Sequence, residues 1–428
     1  MEAKNIVITH GYSDSNKGDL AITQATVDGL REKFPHAKIT LMSTFRSSDP
    51  DFWYHNRKMK ENDIEIIEGI LPTPYIGGNT SFITNVIAVL RLFLNYIQLK
   101  ISFFGILGRY AGGKQFQAYT SIKNADLVIV KGGQFIYNDK EDLRGNLFLW
   151  RTLQPIRVAS QLKKKVIILG QSIGGFASEK SEKYAMKYIS LCSHIVVREE
   201  LSYNLLRKYH IPNVSLAPDT AFYIKKKDIN VDLALSEGRE ILGITVVNWT
   251  FPRIEDPVKA KERYIENLVG AIELSYKKYN LFPLFIPQVT VRHHGKSDLD
   301  LIYVIQQKLN EKGIQNLVLT EDYNANEMVG VYSKCKLLVG TRLHSCILAA
   351  NAGTPVIAIR YQGFKTQGVM KMIGFERFVH DISSLKKDDL FSDIDDFMAN
   401  YTDLKVIIKQ STNDQINKLK RMFFEIGN

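Results

Sequence analysis

An arginine and a histidine stand two positions apart, at 342 and 344, directly after the apolar run 336–340 that ends in a glycine. A guanidinium is a planar fork that matches carboxylate or phosphate, and an imidazole donates or accepts a proton near neutral pH. Delivered by a strand end to the start of a helix, Arg342 and His344 would hold an anion and move a proton beside it. The structural alternatives are an Arg342 paired with a core carboxylate and a His344 that caps its helix. Arg198 follows a second apolar run, 194–197. It offers another fork, although a lone arginine there also commonly pairs with a nearby carboxylate.

Three glycine-containing stretches follow other apolar runs. Residues 10–19 lead into a helical pattern and include Asn16 and Asp19, with Asp19 as helix cap the structural alternative. Lys131-Gly132-Gly133-Gln134 and Gln171-Ser172-Ile173-Gly174-Gly175 read as loops whose backbone N–H groups face a ligand. None is a Walker A loop or a G-x-G-x-x-G turn. Lys365 follows the last long apolar run, and His294 follows the run at 282–287. Adjacent His293 and His294 point apart on an extended loop and have no third ligand at metal spacing, so no metal site is expected. The contact residues expected beside Arg342, His344 and Arg198 are thus Asn16, Asp19, Gly132, Gly133, Gln134, Ser172, His294 and Lys365.

The elements that must position these residues are short Val/Ile/Leu runs without polar alternation, as buried parallel strands require. In the first half they fall at 5–9, 38–42, 63–67, 126–130, 166–170, 194–197 and 214–216. In the second half they fall at 241–247, 282–287, 316–319, 336–340 and 355–360. Helical patterns intervene at 18–34, 325–333 and 344–352, the second opened by a capping-box-like Asn324-x-x-Glu327. This alternation predicts α/β architecture: two doubly wound, Rossmann-like domains facing across a cleft, with ligands at the carboxyl ends of the strands. The expected domains are 1–225 and 240–383, joined by a polar linker at 225–240. A helical tail, 384–428, is expected to pack back on the first.

The 428 residues are 45% hydrophobic and 24% charged, which excludes a disordered or fibrous chain. Three dispersed cysteines exclude a disulfide framework and fit a reducing cytoplasm, and residues 1–8 enter a strand pattern with no secretory leader. The net charge of +11 fits anionic small substrates. Its dispersed lysines and arginines argue against nucleic acid as a partner. Residues 81–110 form the most apolar stretch, interrupted by Arg91, Asn95 and Lys100. Such a helix either packs its apolar face on the protein's own core or lies on an anionic membrane.

The motifs G-Y-S-D-S-N-K-G-D, K-G-G-Q-F, V-V-R-E-E-L-S, A-P-D-T-A-F and G-T-R-L-H-S-C-I-L-A-A-N-A-G-T-P-V-I-A-I occur in that order. Together they resemble the polysaccharide pyruvyl transferase family over roughly residues 8–378. The resemblance implies a fold of the GT-B type and transfer of the pyruvyl group of phosphoenolpyruvate onto sugar hydroxyls, forming a cyclic ketal with release of phosphate. Capsule, exopolysaccharide or cell-wall glycans are the implied products. It implies phosphoenolpyruvate binding at Arg342, a catalytic acid at His344, and a hold on the donor's anionic groups by Arg198. The chain departs from the family pattern at Gln134, where a third glycine is common, and at Gly174, where some relatives have histidine. Asp19 and His294 are the candidates for the acceptor-activating base. No cofactor is implied beyond the donor substrate. The expected partners are phosphoenolpyruvate, a saccharide acceptor on a lipid carrier and an anionic membrane, with the protein in the cytoplasm at the inner face of the cytoplasmic membrane. The rivals are a GT-B glycosyltransferase that uses a nucleotide sugar and a non-catalytic glycan- or lipid-binding relative.

Overall fold

The computed structural model describes residues 2–74, 81–252, 254–291, 297–363 and 365–427. The chain divides into two compact units. The first comprises Met1–Asp14, Ile22–Thr220 and Lys418–Asn428, and the second Ser15–Ala21 and Ala221–Asn417.

The first half of the chain runs β1 (Asn5–Gly11), α1 (Lys17–Lys33), β2 (Lys38–Ser43), α2 (Phe52–Lys60) and β3 (Glu65–Glu68). Three helices follow, α3 (Phe82–Ile101), α4 (Ile106–Ala111) and α5 (Gly113–Asn124), before β4 (Leu127–Val130) and β5 (Gly133–Asn138). Next come α6 (Leu143–Thr152), α7 (Gln154–Gln161), β6 (Lys165–Phe176), α8 (Glu179–Ile189), β7 (His194–Val197), α9 (Glu200–Lys208) and β8 (Val214–Leu216). The sheet is parallel, ordered β3-β2-β1-β4-β6-β7-β8, with β5 pairing the far end of β6. Strands such as Leu-Val-Ile-Val of β4 are buried throughout because helices cover both faces. The strand order reverses between β1 and β4, a switch point at which ligand crevices form.

The second half runs β9 (Ile241–Thr245), α10 (Pro257–Tyr279), β10 (Phe282–Phe285), α11 (Asp298–Glu311), β11 (Leu317–Val318) and α12 (Ala325–Tyr332). It continues with β12 (Cys335–Gly340), α13 (Leu343–Asn351), β13 (Val356–Arg360), α14 (Lys365–Met372) and β14 (Val379–Asp381). Two helices end it, α15 (Lys387–Ala399) and α16 (Tyr401–Glu425). The parallel order β11-β10-β9-β12-β13-β14 is the six-stranded Rossmann order, with its switch point between β9 and β12. The box that opens α12 is closed: Glu327 N donates to Asn324 Oδ1 at 3.0 Å, and Asn324 N to Glu327 Oε2 at 2.9 Å.

Several expectations need correction. The stretch at 133–134 opens strand β5, and 171–175 continues β6, so neither is a free loop. Pairing does not stop at these glycines: β5 and β6 extend the ladder through register shifts. Within the second unit, Lys227 N donates to the Asn326 carbonyl of α12. The cap of α1 is Asn16: its Oδ1 accepts from Gly18 N at 3.1 Å, and its Nδ2 holds Asp19 Oδ2 at 2.7 Å. Helix α3 buries only the narrow stripe Ala88, Leu92, Asn95 and Leu99. Its polar Asn95 faces inward, accepting from Arg46 at 3.0 Å, while most of the apolar residues face outward.

Candidate functional site

Two groups of side chains gather at strand carboxyl ends, one in each unit. In the second unit β12 ends at Gly340, and Arg342 occupies the N-cap position of α13. Its guanidinium donates through Nη2 to Asp298 Oδ1 at 2.5 Å. Asp298 opens α11 and turns back, its Oδ2 accepting from the backbone N–H groups of Gln288 (3.1 Å) and Val289 (2.9 Å). Burial pushes the Asp298 carboxyl up, against the pull of Arg342 and those two N–H groups. Burial is the largest single influence on Arg342 and opposes its charge, but Asp298 and Tyr361 together outweigh it and hold the guanidinium above its ordinary value. The Arg342 side chain lies 6.0 Å from the Tyr361 ring centre, and its Nε is buried with no hydrogen-bond partner among the described residues.

The residues around it form a rigid frame. Ser345 Oγ donates to the Arg342 carbonyl at 2.6 Å and meets Thr245 Oγ1 at 2.7 Å, tying α13 to the end of β9. The first turn of α1 joins the same frame. Lys17 N donates to the Gln288 carbonyl, and the buried Lys17 Nζ reaches Asp322 at 2.6 Å and the Tyr323 carbonyl at 2.7 Å.

His344, on the first turn of α13, lies against Gly18. A Cβ at Gly18 would stand 2.3 Å from His344 Nδ1, so only glycine admits the ring there. In Gly18→Ala the gain in helix propensity, about 1 kcal/mol, loses to overpacking of about 1–3 kcal/mol. If His344 moves a proton in turnover, displacing its imidazole is expected to lower turnover by roughly 100-fold while circular dichroism shows little unfolding. Turnover within a few-fold of the unaltered enzyme would detach His344 from the chemistry.

In the first unit Arg198 follows β7 and is nearly fully buried. Its Nε donates to Ser172 Oγ at 2.9 Å and its Nη1 to Asp219 Oδ2 at 2.5 Å. The carboxylate pairing weighed for a lone arginine is therefore present. Gln171 Nε2 donates to the carbonyl of the fully buried Lys131 at 2.5 Å, while Gln171 Oε1 is buried without a partner among the described residues. Gly132 serves strand packing: a Cβ there would sit 2.9 Å from the Gly170 carbonyl oxygen.

His10 adopts a left-handed backbone (φ 66°), stacks on Phe135 at 4.3 Å and shares a hydrogen bond with the Thr152 carbonyl at 2.9 Å. Burial, aided by Arg151 and Lys131, lowers its pKa to about 3 despite that carbonyl. The imidazole is thus neutral when folded. An unfolded chain takes up its proton near pH 6.5, so stability should fall as pH drops from about 6.5 towards 3, by up to ~1.4 kcal/mol per pH unit. His10→Asn, which tolerates the same backbone, should flatten that acid limb in melts between pH 7 and 5. An unchanged slope would assign it to other groups.

Among the expected residues, Arg342, His344, Asn16 and Asp19 lie in the second unit. Arg198, Ser172, Gly132, Gly133 and Gln134 lie in the first, Gln134 exposed on β5. Lys365 starts α14, and His294 lies outside the described residues. Sequence reading missed Asp298, Lys17, Lys131 and Tyr361 as site members, and Asp219 stood unassigned inside the A-P-D-T-A-F motif. No group of three or more His, Cys, Asp or Glu side chains able to hold a metal occurs among the described residues.

The sequence pattern described as polysaccharide pyruvyl transferase matches residues 16–363. The chain belongs to this family. It is also 24% identical over 427 residues to the amylovoran biosynthesis protein AmsJ of Erwinia amylovora, covering 96% of each chain. Its fold resembles that of a putative UDP-N-acetylglucosamine 2-epimerase from Listeria monocytogenes, with TM-score 0.59, 12% identity, and coverage of 99% and 98% of the two chains. It likewise resembles a UDP-glucosyltransferase from Polygonum tinctorium, with TM-score 0.52, 10% identity and 98% of each chain covered. The fold of this pyruvyl transferase family member is therefore α/β of the GT-B type, and the family assigns it to enzymes of polysaccharide biosynthesis.

Proposed function

We propose that the protein transfers the pyruvyl group of phosphoenolpyruvate onto two hydroxyls of a sugar during exopolysaccharide synthesis. The observation that carries this reading is Arg342. It is pinned by Asp298 at the N-terminus of α13 and keeps a buried Nε without a partner among the described residues. Cationic forks and helix N-termini both favour carboxylate and phosphate, the two anionic groups of this donor.

In the proposed reaction His344 gives a proton to the methylene carbon, leaving an oxocarbenium-like centre at the adjacent carbon. The first sugar hydroxyl adds there, and its proton returns to a base, for which Asp19, next to Gly18, is the candidate. Cleavage of the C–O bond then releases phosphate, the second hydroxyl adds, and its proton leaves with the phosphate. Arg342 offsets the donor's negative charge as it redistributes, and Arg198 is assigned a second hold on that charge. No metal or other cofactor is invoked.

The donor places the reaction in the cytoplasm, and the net charge of +11 suits both the donor and an acceptor carried on lipid pyrophosphate. The second reading, nucleotide-sugar chemistry, draws on the Rossmann strand order of the second unit. Calorimetric titration with phosphoenolpyruvate, UDP-sugars and GDP-sugars separates the two. Phosphoenolpyruvate binding alone is expected, and binding of a nucleotide sugar alone would replace this proposal.

A further inference from the structure

Helices α3 and α4 expose a continuous apolar surface to solvent. Phe82 is 83% exposed and Ile106 79%, with Leu90, Phe93 and Leu94 each more than half exposed between them. Scattered apolar residues are ordinary on a surface, but a continuous run of this size marks something that binds. By length and composition α3 is long enough to cross a membrane. Its attachment to the first unit excludes that placement. The stripe Ala88, Leu92, Asn95 and Leu99 is buried along most of the helix. Arg144 donates to Asn85 near one end, Arg46 to Asn95 further along, and Tyr96 packs edge-on to Trp150. A helix held along its side presents its opposite face flat.

Along the chain this segment carries charge of one sign, with Asp49 of a neighbouring segment within electrostatic reach of Arg91. Between Glu68 and Asp126 the chain carries no acidic residue and five cations, Arg91, Lys100, Arg109, Lys114 and Lys123. We propose that the α3–α4 face binds in the plane of an anionic membrane, its apolar side chains entering the headgroup–acyl boundary and its cations meeting lipid phosphates. A cover formed by a second copy of the chain would bring the same cations face to face, which the charge pattern disfavours. The inference does not rest on the transferase reading.

The test is flotation of the full chain with vesicles of phosphatidylcholine containing about one third phosphatidylglycerol, against phosphatidylcholine alone. Binding is expected to the anionic vesicles, reversed by alkaline carbonate. The triple variant Leu90→Gln, Phe93→Gln, Ile106→Gln changes only exposed side chains and should fold. It should lower partitioning by about 100-fold or more. Replacing Arg91, Lys100 and Arg109 with Gln should lower anionic binding about fivefold per residue. The proposal is overturned by absence of flotation, by equal binding to neutral vesicles, or by resistance to carbonate. It is equally overturned if light scattering shows a dimer that the triple variant dissociates. These vesicles hold neither donor nor sugar, so failure here leaves the proposed reaction standing, and the converse holds.

Discussion

Arg342→Ala is expected to weaken phosphoenolpyruvate binding by roughly 100- to 1,000-fold and to remove measurable turnover. Each charge-assisted hydrogen bond contributes about 1.5–3 kcal/mol, and the fork supplies at least two to one anionic group. The variant also changes the folded state, because Asp298 is 1% exposed and loses its cation. Breaking such a pair costs about 3–5 kcal/mol when the remaining charge is buried. The Asp298 carboxyl, already pushed up by burial, would rise further. A raised carboxyl keeps its contribution below its unfolded pKa and loses it as pH rises, so the variant should be relatively less stable at pH 8 than at pH 5. Adding Asp298→Asn should recover most of the melting temperature without recovering binding. That separation of stability from affinity is the check, and donor binding in the folded double variant would remove Arg342 from the site.

Arg198→Ala should cost about 3–5 kcal/mol as well, lowering the melting temperature by roughly 10 °C for a unit of this size. Arg198 and Asp219 are both nearly fully buried and paired, and removing the arginine leaves an uncompensated carboxylate next to Ser172. Replacing both partners by apolar residues of similar volume, Arg198→Met with Asp219→Leu, should restore most of the stability. If Arg198 also holds donor charge, the stable double variant will bind phosphoenolpyruvate about tenfold more weakly. Unchanged affinity would make Arg198 a pin for the strand end and nothing more.

The strands were legible because parallel sheets bury both faces, so Ile-Val-Val at 195–197 and Val-Ile-Ala-Ile at 356–359 announce themselves. The R-L-H segment was equally legible, since a buried run, a glycine and a polar pair mark a strand end by composition alone. Its partner was not. Asp298 lies 44 residues away in sequence at an ordinary helix start, and only the fold brings its carboxylate to Arg342. The pairing of β5 with β6 was hidden for another reason: Gly133 and Gly174 signal a turn locally, and the ladder between them is a tertiary decision. In α3 the period of the apolar residues was plain, but the face that meets the core was left open between two alternatives. A helix apolar on most of its surface does not state which narrow stripe meets the core.

The membership of residues 15–21 in the second unit has a consequence for how the chain is made. Those residues leave the ribosome early, yet Gln288, Asp322 and His344, which they meet, follow hundreds of residues later. At about 5–20 residues per second the start of α1 waits on the order of tens of seconds for its partners. The first unit is likewise incomplete until Lys418–Asn428 arrives, with Phe423 set against Gly29. Neither unit is therefore a continuous fragment, and the emergence of each unit's most distant segment, rather than of the first half, is the event that closes it.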